Sequence, residues 1–258
     1  MRLLFIGDVV GKPGREGLAA TLPKLRAERM PDLTVVNGEN AAGGVGITRE
    51  TAEELFEIGA DVITLGNHTY RHRDVYSFLD SERRIVRPAN FASSSPGRGH
   101  TIVEAAGMRV AVINLSGQMY MQVDRSPFSA IDELLDSLVG GADAIVVDFH
   151  AELTSEKVAM GWQLDGRVAA VLGTHTHVPT ADARVLPGGT AHMSDVGMTG
   201  SRAGVIGVRR EQALEAFRTQ MPVRFDTADD DVWVMGAAVE IGDDGLARGI
   251  EPIMVPAA

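Results

Sequence analysis

Two histidines separated by one threonine, His175 and His177, follow the apolar segment "VAAVLG" of residues 168–173. If Val168 to Leu172 form a strand and the chain turns beyond Gly173, both imidazoles converge from the end of that strand. This H-x-H spacing is typical of metal ligands. An equally simple alternative is that one histidine caps the next segment and the other is solvated, so the rest of the sequence must decide.

Polar side chains with metal-binding or acid–base chemistry also follow four earlier apolar segments. Each has a structural explanation when taken singly, such as a helix cap, a turn residue or a buried histidine bonded to backbone. Their repetition is better explained by a common site, because the carboxyl ends of strands in an α/β sheet border one crevice. These residues are Asp8 after "LLFIG", Glu39 after "TVVNG", Asn67 and His68 after "VITLG", and His150 after "AIVVDF".

The composition limits which ligands and ions this crevice can use. The chain has no cysteine, so any metal must be bound through oxygen and nitrogen. Carboxylates, an amide and several imidazoles suit a divalent ion such as Mn²⁺, Fe²⁺ or Zn²⁺. The donors exceed the needs of one tetrahedral site, which favours two ions that share a bridging carboxylate.

The elements that must position these residues are predicted from hydrophobic periodicity. Short β-branched segments alternate with helical patterns, of which residues 15–29 and 47–60 are the clearest, and this predicts βαβ units with largely parallel pairing. In the second helix, Thr48 is the expected N-cap, Glu50 favours the first turn and Gly59 is the expected C-terminal glycine. The last third predicts a hairpin at 187–189 and antiparallel strands around "GDDG" (242–245), and hence a mixed or second sheet. No linker divides the chain, so we expect a single α/β domain over 1–258.

Charge and hydropathy argue against several classes of protein. The formal charge of −11 disfavours tight nonspecific binding to a phosphate backbone, which requires clustered cations. The N-terminal "MRLLFIGDVVGK" lacks the apolar length of a signal peptide, and no segment is long enough to span a membrane. We therefore expect a soluble, cytoplasmic protein. The segment "GDVVGKPG" (7–14) is one residue short of the spacing of a phosphate-binding P-loop. The glycine-rich segment "GENAAGGVGIT" (38–48) precedes a helix and could bind an anion at the helix N-terminus.

The ordered set "GD" (7–8), "GNH" (66–68), His150 and "GTHTH" (173–177) resembles the calcineurin-like metallophosphoesterases. The chain departs from the wider superfamily in three places: "DVV" replaces Asp-x-His, "NGEN" replaces the Gly-Asp-x-x-Asp block, and Thr69 follows "GNH". These departures match the YmdB-like phosphodiesterase subfamily. That resemblance runs from "GDVVG" through "NGENAAGG" and "LGNHTY" to "SDVGMTG", essentially the whole chain.

This resemblance implies a four-layer αββα sandwich with two mixed sheets, metallophosphoesterase-like in form. It also implies two iron or manganese ions, with zinc as a further candidate, and hydrolysis of 2',3'- or 3',5'-cyclic nucleotides by metal-activated hydroxide. The implied first ion takes Asp8, Glu39 and His177, with Asn40 as a further contact. Glu39 bridges to the implied second ion, which also takes Asn67, His150 and His175.

His68 follows the ligand Asn67 without being an obvious ligand, so we expect it to be the catalytic residue that gives a proton to the leaving alkoxide. Its alternative role is to orient a ligand. Phosphoryl transfer also benefits from cations. Candidates for that role are Lys12, Arg15, Arg71 and Arg73, although each could instead be an ordinary solvated surface charge. Residues 194–200, "SDVGMTG", suit either an active-site lid or a turn.

Two other functions remain compatible with these residues. The same ions would serve a phosphomonoesterase or protein phosphatase, because pocket depth separates these substrates and sequence does not show it. A nearly inactive regulatory protein that binds a nucleotide or RNA is disfavoured, because pure binding needs neither a water-activating pair of ions nor a proton donor. The sequence leaves a link to RNA and a homo-oligomer as open alternatives.

Overall fold

The computed structural model describes residues 1–257. The helices and strands alternate along most of this length, as the hydrophobic periodicity predicts. The strands are β1 Arg2–Ile6, β2 Asp8–Val9, β3 Leu33–Asn37, β4 Val62–Thr64, β5 Ile85–Val86, β6 His100–Ala105, β7 Met108–Ser116, β8 Ala144–His150, β9 Ala170–Thr174, β10 Arg184–Val185, β11 Ala191–Met193, β12 Met198–Ser201, β13 Val232–Ile241 and β14 Ala247–Pro256. The helices are α1 Gly11–Arg29, α2 Arg49–Ile58, α3 Tyr76–Ser81, α4 Pro127–Ser137, α5 Thr154–Leu164 and α6 Arg210–Thr219, and a 3₁₀ turn spans Arg73–Val75.

The strands form two mixed sheets. The first has the order β2-β12-β13-β1-β3-β4-β5, with β14 also paired to β13, and its β1, β3, β4 and β5 run parallel. The second has the order β10-β11-β9-β8-β7-β6, in which β7, β8, β9 and β11 are parallel and the edge strands β6 and β10 are antiparallel. The prediction of a second sheet is confirmed.

Three hydrophobic cores separate four layers. Phe5 and Val35 of the first sheet meet Val146 and Leu172 of the second sheet in the central core. Helices cover the outer face of each sheet, and an outer hydrophobic core lies between the helices and the sheet on each side. These outer cores contain Leu18, Leu22 and Leu55 of α1 and α2 on the first sheet, and Ile131, Leu135, Met160 and Leu164 of α4 and α5 on the second. The αββα sandwich is therefore confirmed.

The local signals in the sequence place most element boundaries well. Thr48 is the N-cap of α2 and forms a capping box with Thr51, and Gly59 is its C-cap. Helix α1 begins at Gly11, earlier than the predicted Arg15, and none of the helices in residues 1–257 is long and apolar enough to cross a membrane. Both predicted antiparallel pairs in the last third, β10–β11 and β13–β14, are present.

The strand before the two histidines is the exception. It spans Ala170–Thr174, two residues later than the predicted Val168–Leu172, because Gly173 still pairs with Phe149 of β8. A side chain at Gly173 would collide with the carbonyl of Ser194, so glycine lets the neighbouring segment approach. His175 is consequently the first residue beyond the strand, at the same end of the sandwich where β1, β3 and β4 of the first sheet and β8 of the second sheet also end.

Candidate metal centre

The carboxyl ends of five strands from both sheets meet at one place. The predicted site residues are connected there through short contacts between their side chains or backbone. Asp8 lies just after β1 and begins β2, and Glu39 and Asn40 lie just after β3. Asn67 and His68 follow β4, His150 ends β8, and His175 and His177 follow β9.

The Nε2 atom of His150 is the centre of this cluster. It lies 2.9 Å from Asn67 Oδ1, 3.0 Å from Glu39 Oε1 and 3.1 Å from His175 Nδ1. An imidazole nitrogen carries at most one hydrogen, so His150 Nε2 cannot donate a hydrogen bond to all three neighbouring atoms. Several donor atoms with lone pairs aimed at one point are the arrangement expected of a metal ligand shell.

The other nitrogen of His150 is held by a buried relay. Nδ1 lies 2.8 Å from Thr174 Oγ1, whose hydroxyl donates to Asp148 Oδ1 at 2.7 Å. Because the threonine proton is used on Asp148, His150 must donate through Nδ1–H, and this orients Nε2 toward the cluster. Sequence reasoning missed Asp148 and Thr174, although a carboxylate within an apolar strand was a usable signal.

Asp8 and His177 form the second part of the cluster. Asp8 is fully buried; its Oδ2 accepts from the His175 backbone N–H at 3.1 Å, and its Oδ1 lies 4.0 Å from His177 Nε2. Asn40 Nδ2 is 3.2 Å from both His177 Nε2 and Glu39 Oε1. Asp8 Oδ1 has no hydrogen-bond partner in residues 1–257. A buried carboxylate oxygen without a partner is costly unless a cation binds it, so these residues fit divalent metal ions.

Electrostatics inside the cluster couple its groups. Burial raises the pKa of the Asp8 carboxyl and would raise that of Glu39, but the adjacent His150 imidazole and His68 together outweigh burial and lower the pKa of Glu39 to about 2. Burial, together with the charge of His150, lowers the pKa of His175 to about 3. Glu39 is thus anionic and His175 is neutral at pH 7, the protonation states in which both groups bind metals. Burial opposes protonation of His150, but the carboxylates of Glu39 and Asp8 raise its pKa to about 9, so a metal ion would have to displace the proton on Nε2.

The loop that carries His175 and His177 has an unusual backbone. Both residues have left-handed φ angles, +99° and +66°, which few non-glycine residues adopt without support from their surroundings. Thr176 between them supplies that support: its N–H and its hydroxyl donate to Asp195 Oδ2 at 3.1 and 2.8 Å. The same oxygen accepts from Lys157 Nζ at 2.6 Å, and both charged side chains are buried.

Asp195 belongs to the 194–200 segment. This segment is buried throughout, and Met198 pairs with Asp8 where β12 meets β2. It therefore supports the cluster from inside and does not cover it as a lid.

We expect Asp195→Ala to lower the free energy of unfolding by about 3–5 kcal/mol, because it leaves the buried Lys157 ammonium without its counter-ion. Urea denaturation followed by circular dichroism measures this loss. The matched control is Glu28→Ala, which removes an exposed helical pair with Lys24 and is expected to change stability by less than about 0.5 kcal/mol. Equal losses of stability in both variants would show that the buried Lys157–Asp195 pair contributes no more to stability than an exposed pair.

His68 lies beside the cluster in a different way from the other site residues. Its backbone N–H donates to Glu39 Oε2 at 3.2 Å, while its half-buried imidazole makes no hydrogen bond within residues 1–257. Burial lowers the pKa of His68, and the charges of His150 and Arg71 act in the same direction. The imidazole is thus free to contact a bound substrate.

The other candidate cations differ in their surroundings. Lys12 makes an exposed pair with Glu16 in α1. Arg15 bonds to Glu54 and to the Ala41 carbonyl, so it fastens the loop after β3 to two helices. Arg73 is exposed in the 3₁₀ turn. Of the four candidates, Arg71 is the one whose charge acts on His68.

Two solved structures share this fold along the whole chain. A hypothetical protein from Thermus thermophilus is 41% identical with a TM-score of 0.94, and the match covers 100% of both chains. A structure described as a novel phosphatase from Mycoplasma pneumoniae is 33% identical with a TM-score of 0.93, over 99% of this chain and 93% of that one.

Sequence comparison agrees with the structural matches. A 2',3'-cyclic-nucleotide 2'-phosphodiesterase of Bacillus subtilis strain 168 is 48% identical over 256 residues, which is 99% of this chain and 97% of the relative. The model of the family described as YmdB-like protein matches residues 4–253. The chain, with its αββα fold and its cluster of carboxylates, amides and imidazoles at the strand ends, therefore belongs to the YmdB-like protein family.

Proposed function

We propose that this chain, acting as one domain, is a metal-dependent phosphodiesterase that hydrolyses small cyclic nucleotides, either 2',3'- or 3',5'-cyclic monophosphates. The observation that carries the proposal is the convergence of Glu39, Asn67 and His175 on His150 Nε2, beside the unpartnered Oδ1 of Asp8. The 48% identity to a cyclic-nucleotide phosphodiesterase supports the choice of substrate class.

The donor set suits two divalent ions, iron or manganese, with zinc as the further candidate. Bound ions would supply positive charge for the phosphate oxygens and would acidify a water molecule so that it attacks phosphorus at neutral pH. The residues that would hold them are Asp8, Glu39, Asn40 and His177 for the first ion, and Glu39, Asn67, His150 and His175 for the second.

The chain's own residues then have separate roles. His68 would give a proton to the leaving sugar oxygen, since its imidazole is free and its backbone is fastened to Glu39. Asp148 and Thr174 would hold His150 in one tautomer through the Nδ1–H bond. Asp195 would keep His175 and His177 on the same side of the loop through its bonds to Thr176. Rigid placement of this kind lowers the barrier because reacting groups need no reorganisation.

The test combines metal analysis with turnover. Protein purified without chelators or affinity nickel is analysed by inductively coupled plasma mass spectrometry and assayed with 2',3'-cyclic AMP, 3',5'-cyclic AMP and p-nitrophenyl phosphate. We expect about two ions per chain, cleavage of at least one cyclic nucleotide, loss of activity on chelation and its return with Mn²⁺. Faster hydrolysis of the monoester than of either diester would contradict the proposal.

A further inference from the structure

A cavity of about 680 Å³ opens directly beside the candidate metal centre. Asn67 and His175 line one end of it, while Tyr70, Phe91 and Tyr120 contribute aromatic rings. Its volume lies within the range of about 300–1,000 Å³ typical of small-molecule sites. The cavity is therefore large enough for a group attached to a phosphate held at the metal end.

One wall of this cavity is rigid and aromatic. The rings of Tyr70 and Phe91 lie 6.1 Å apart, and Tyr70 is further held by an edge-to-face contact with Tyr76 and a 2.7 Å hydrogen bond from its hydroxyl to the Pro96 carbonyl. Aromatic residues make up 5% of the chain, so three rings around one cavity are a local concentration. Such a wall suits a planar, weakly polar ligand.

Tyr120 differs from these two rings. It is 85% exposed, its φ is +62°, and neither its ring nor its hydroxyl has a partner in residues 1–257. A left-handed tyrosine is uncommon and is maintained at an energetic cost, yet here that backbone conformation leaves a large aromatic side chain mostly exposed to solvent. The ring is available to stack on a ligand.

One acidic side chain lines the cavity. The neighbouring metal centre would attract phosphate, whereas Asp124 also lines the cavity and has no ion-pair partner within residues 1–257. A carboxylate repels a second phosphate but accepts hydrogen bonds from ring or exocyclic N–H groups. The part of the cavity beside Asp124 therefore suits a nucleobase better than a second anionic group.

We propose that this cavity is the nucleobase subsite of the enzyme, with the Tyr120 ring stacked on the base against the wall formed by Tyr70 and Phe91. This inference rests on the proposed function, because it places the phosphate at the metal centre. It adds that the base, in addition to the cyclic phosphate, contributes to substrate recognition. Alanine substitution of base-stacking residues in other nucleic-acid sites gives a range equivalent to about 5- to 150-fold in affinity per base.

The test uses two cyclic phosphodiesters that differ in the base. Glycerol 1,2-cyclic phosphate carries the reactive five-membered ring without a base, and 2',3'-cyclic AMP carries both. We expect Tyr120→Ala to raise KM for 2',3'-cyclic AMP by about 5- to 150-fold and to leave KM for the glycerol compound unchanged. The matched control, Tyr120→Phe, keeps the ring and is expected to behave like the wild-type protein with both substrates.

Inhibition by adenosine complements the comparison of KM values. Adenosine, which has the base but no phosphate, is expected to inhibit cleavage of glycerol 1,2-cyclic phosphate competitively in the wild-type protein and much more weakly in Tyr120→Ala. Equal KM changes for the two substrates, or unchanged inhibition by adenosine, would overturn the subsite. Absence of metal-dependent cleavage of both compounds, and of 3',5'-cyclic AMP, by the wild-type protein would instead overturn the proposed function, so the two failures are distinguishable.

Discussion

His68→Ala is expected to lower kcat for cyclic nucleotides by about 10²- to 10⁴-fold, the usual contribution of general acid–base catalysis. The bound metal should remain, because His68 contacts Glu39 through its backbone N–H, which alanine retains. Single-turnover kinetics and metal analysis of the same preparation measure both quantities. The effect should be smallest with a p-nitrophenolate leaving group, since that group departs without needing a proton.

His72→Ala is the matched control for this prediction. His72 lies four residues further along the chain, and its Nε2 is 2.9 Å from the Val45 carbonyl, where it supports the neighbouring loop. Its loss is expected to leave kcat within about twofold of the wild-type value, the rate equivalent of the roughly ±0.5 kcal/mol usual for surface changes. Unchanged turnover in His68→Ala would rule out His68 as the proton donor, and loss of metal would place it among the residues that hold the ions.

Gly66→Ala is expected to disable the metal centre although it adds a single methyl group. A Cβ at Gly66 would lie closer than 3.0 Å to Glu39 Oε2 and to the ring of His150, a separation that real Cβ atoms do not reach. The carboxylate and the imidazole would have to move apart, and displacements of about 1 Å at a catalytic site cost on the order of 10²-fold in rate. We expect metal content to fall below one ion per chain and kcat/KM to fall by at least about 10²-fold.

The control for Gly66→Ala is Gly249→Ala in β14. Apart from the two chain neighbours of Gly249, no atom in residues 1–257 lies within 4 Å of a Cβ built there, so this variant tests the general effect of replacing a glycine in the same protein. It should keep full metal content and activity, while circular dichroism should show both variants folded. A fully metallated, active Gly66→Ala protein would mean that the strand end relaxes easily and that close packing there is unimportant.

Much of the candidate centre was predictable because parallel strands obey simple geometry. Asp8, Glu39, Asn67 and His150 each follow an apolar segment, and the carboxyl ends of such strands meet at one edge. Alternating helices and strands, together with the antiparallel patterns after residue 184, predicted a mixed or second sheet, whereas the four-layer sandwich was implied by the family resemblance. The alternation and the antiparallel patterns are local signals, carried by periodicity of two or 3.6 residues and by turn residues.

The groups that hold the ligands were not predictable in this way. Asp148 reaches His150 through Thr174, 26 residues away along the chain, and Asp195 supports the histidine loop from a segment that suited a lid equally well. Hydrogen bonds of this kind depend on two distant segments meeting at a particular register. No spacing within the sequence encodes that meeting.

The sequence by itself determined the chemistry available to this protein: oxygen and nitrogen donors at strand ends, no thiolate, and a fold built from βαβ units. Only the tertiary structure decided which nitrogen of His150 faces the cluster, that Asp8 Oδ1 lacks a partner, and that Tyr120 stands free beside a cavity. The physical reason is that side-chain type and strand periodicity are local properties. Tautomer choice, burial and pocket shape arise from packing between segments far apart in the chain.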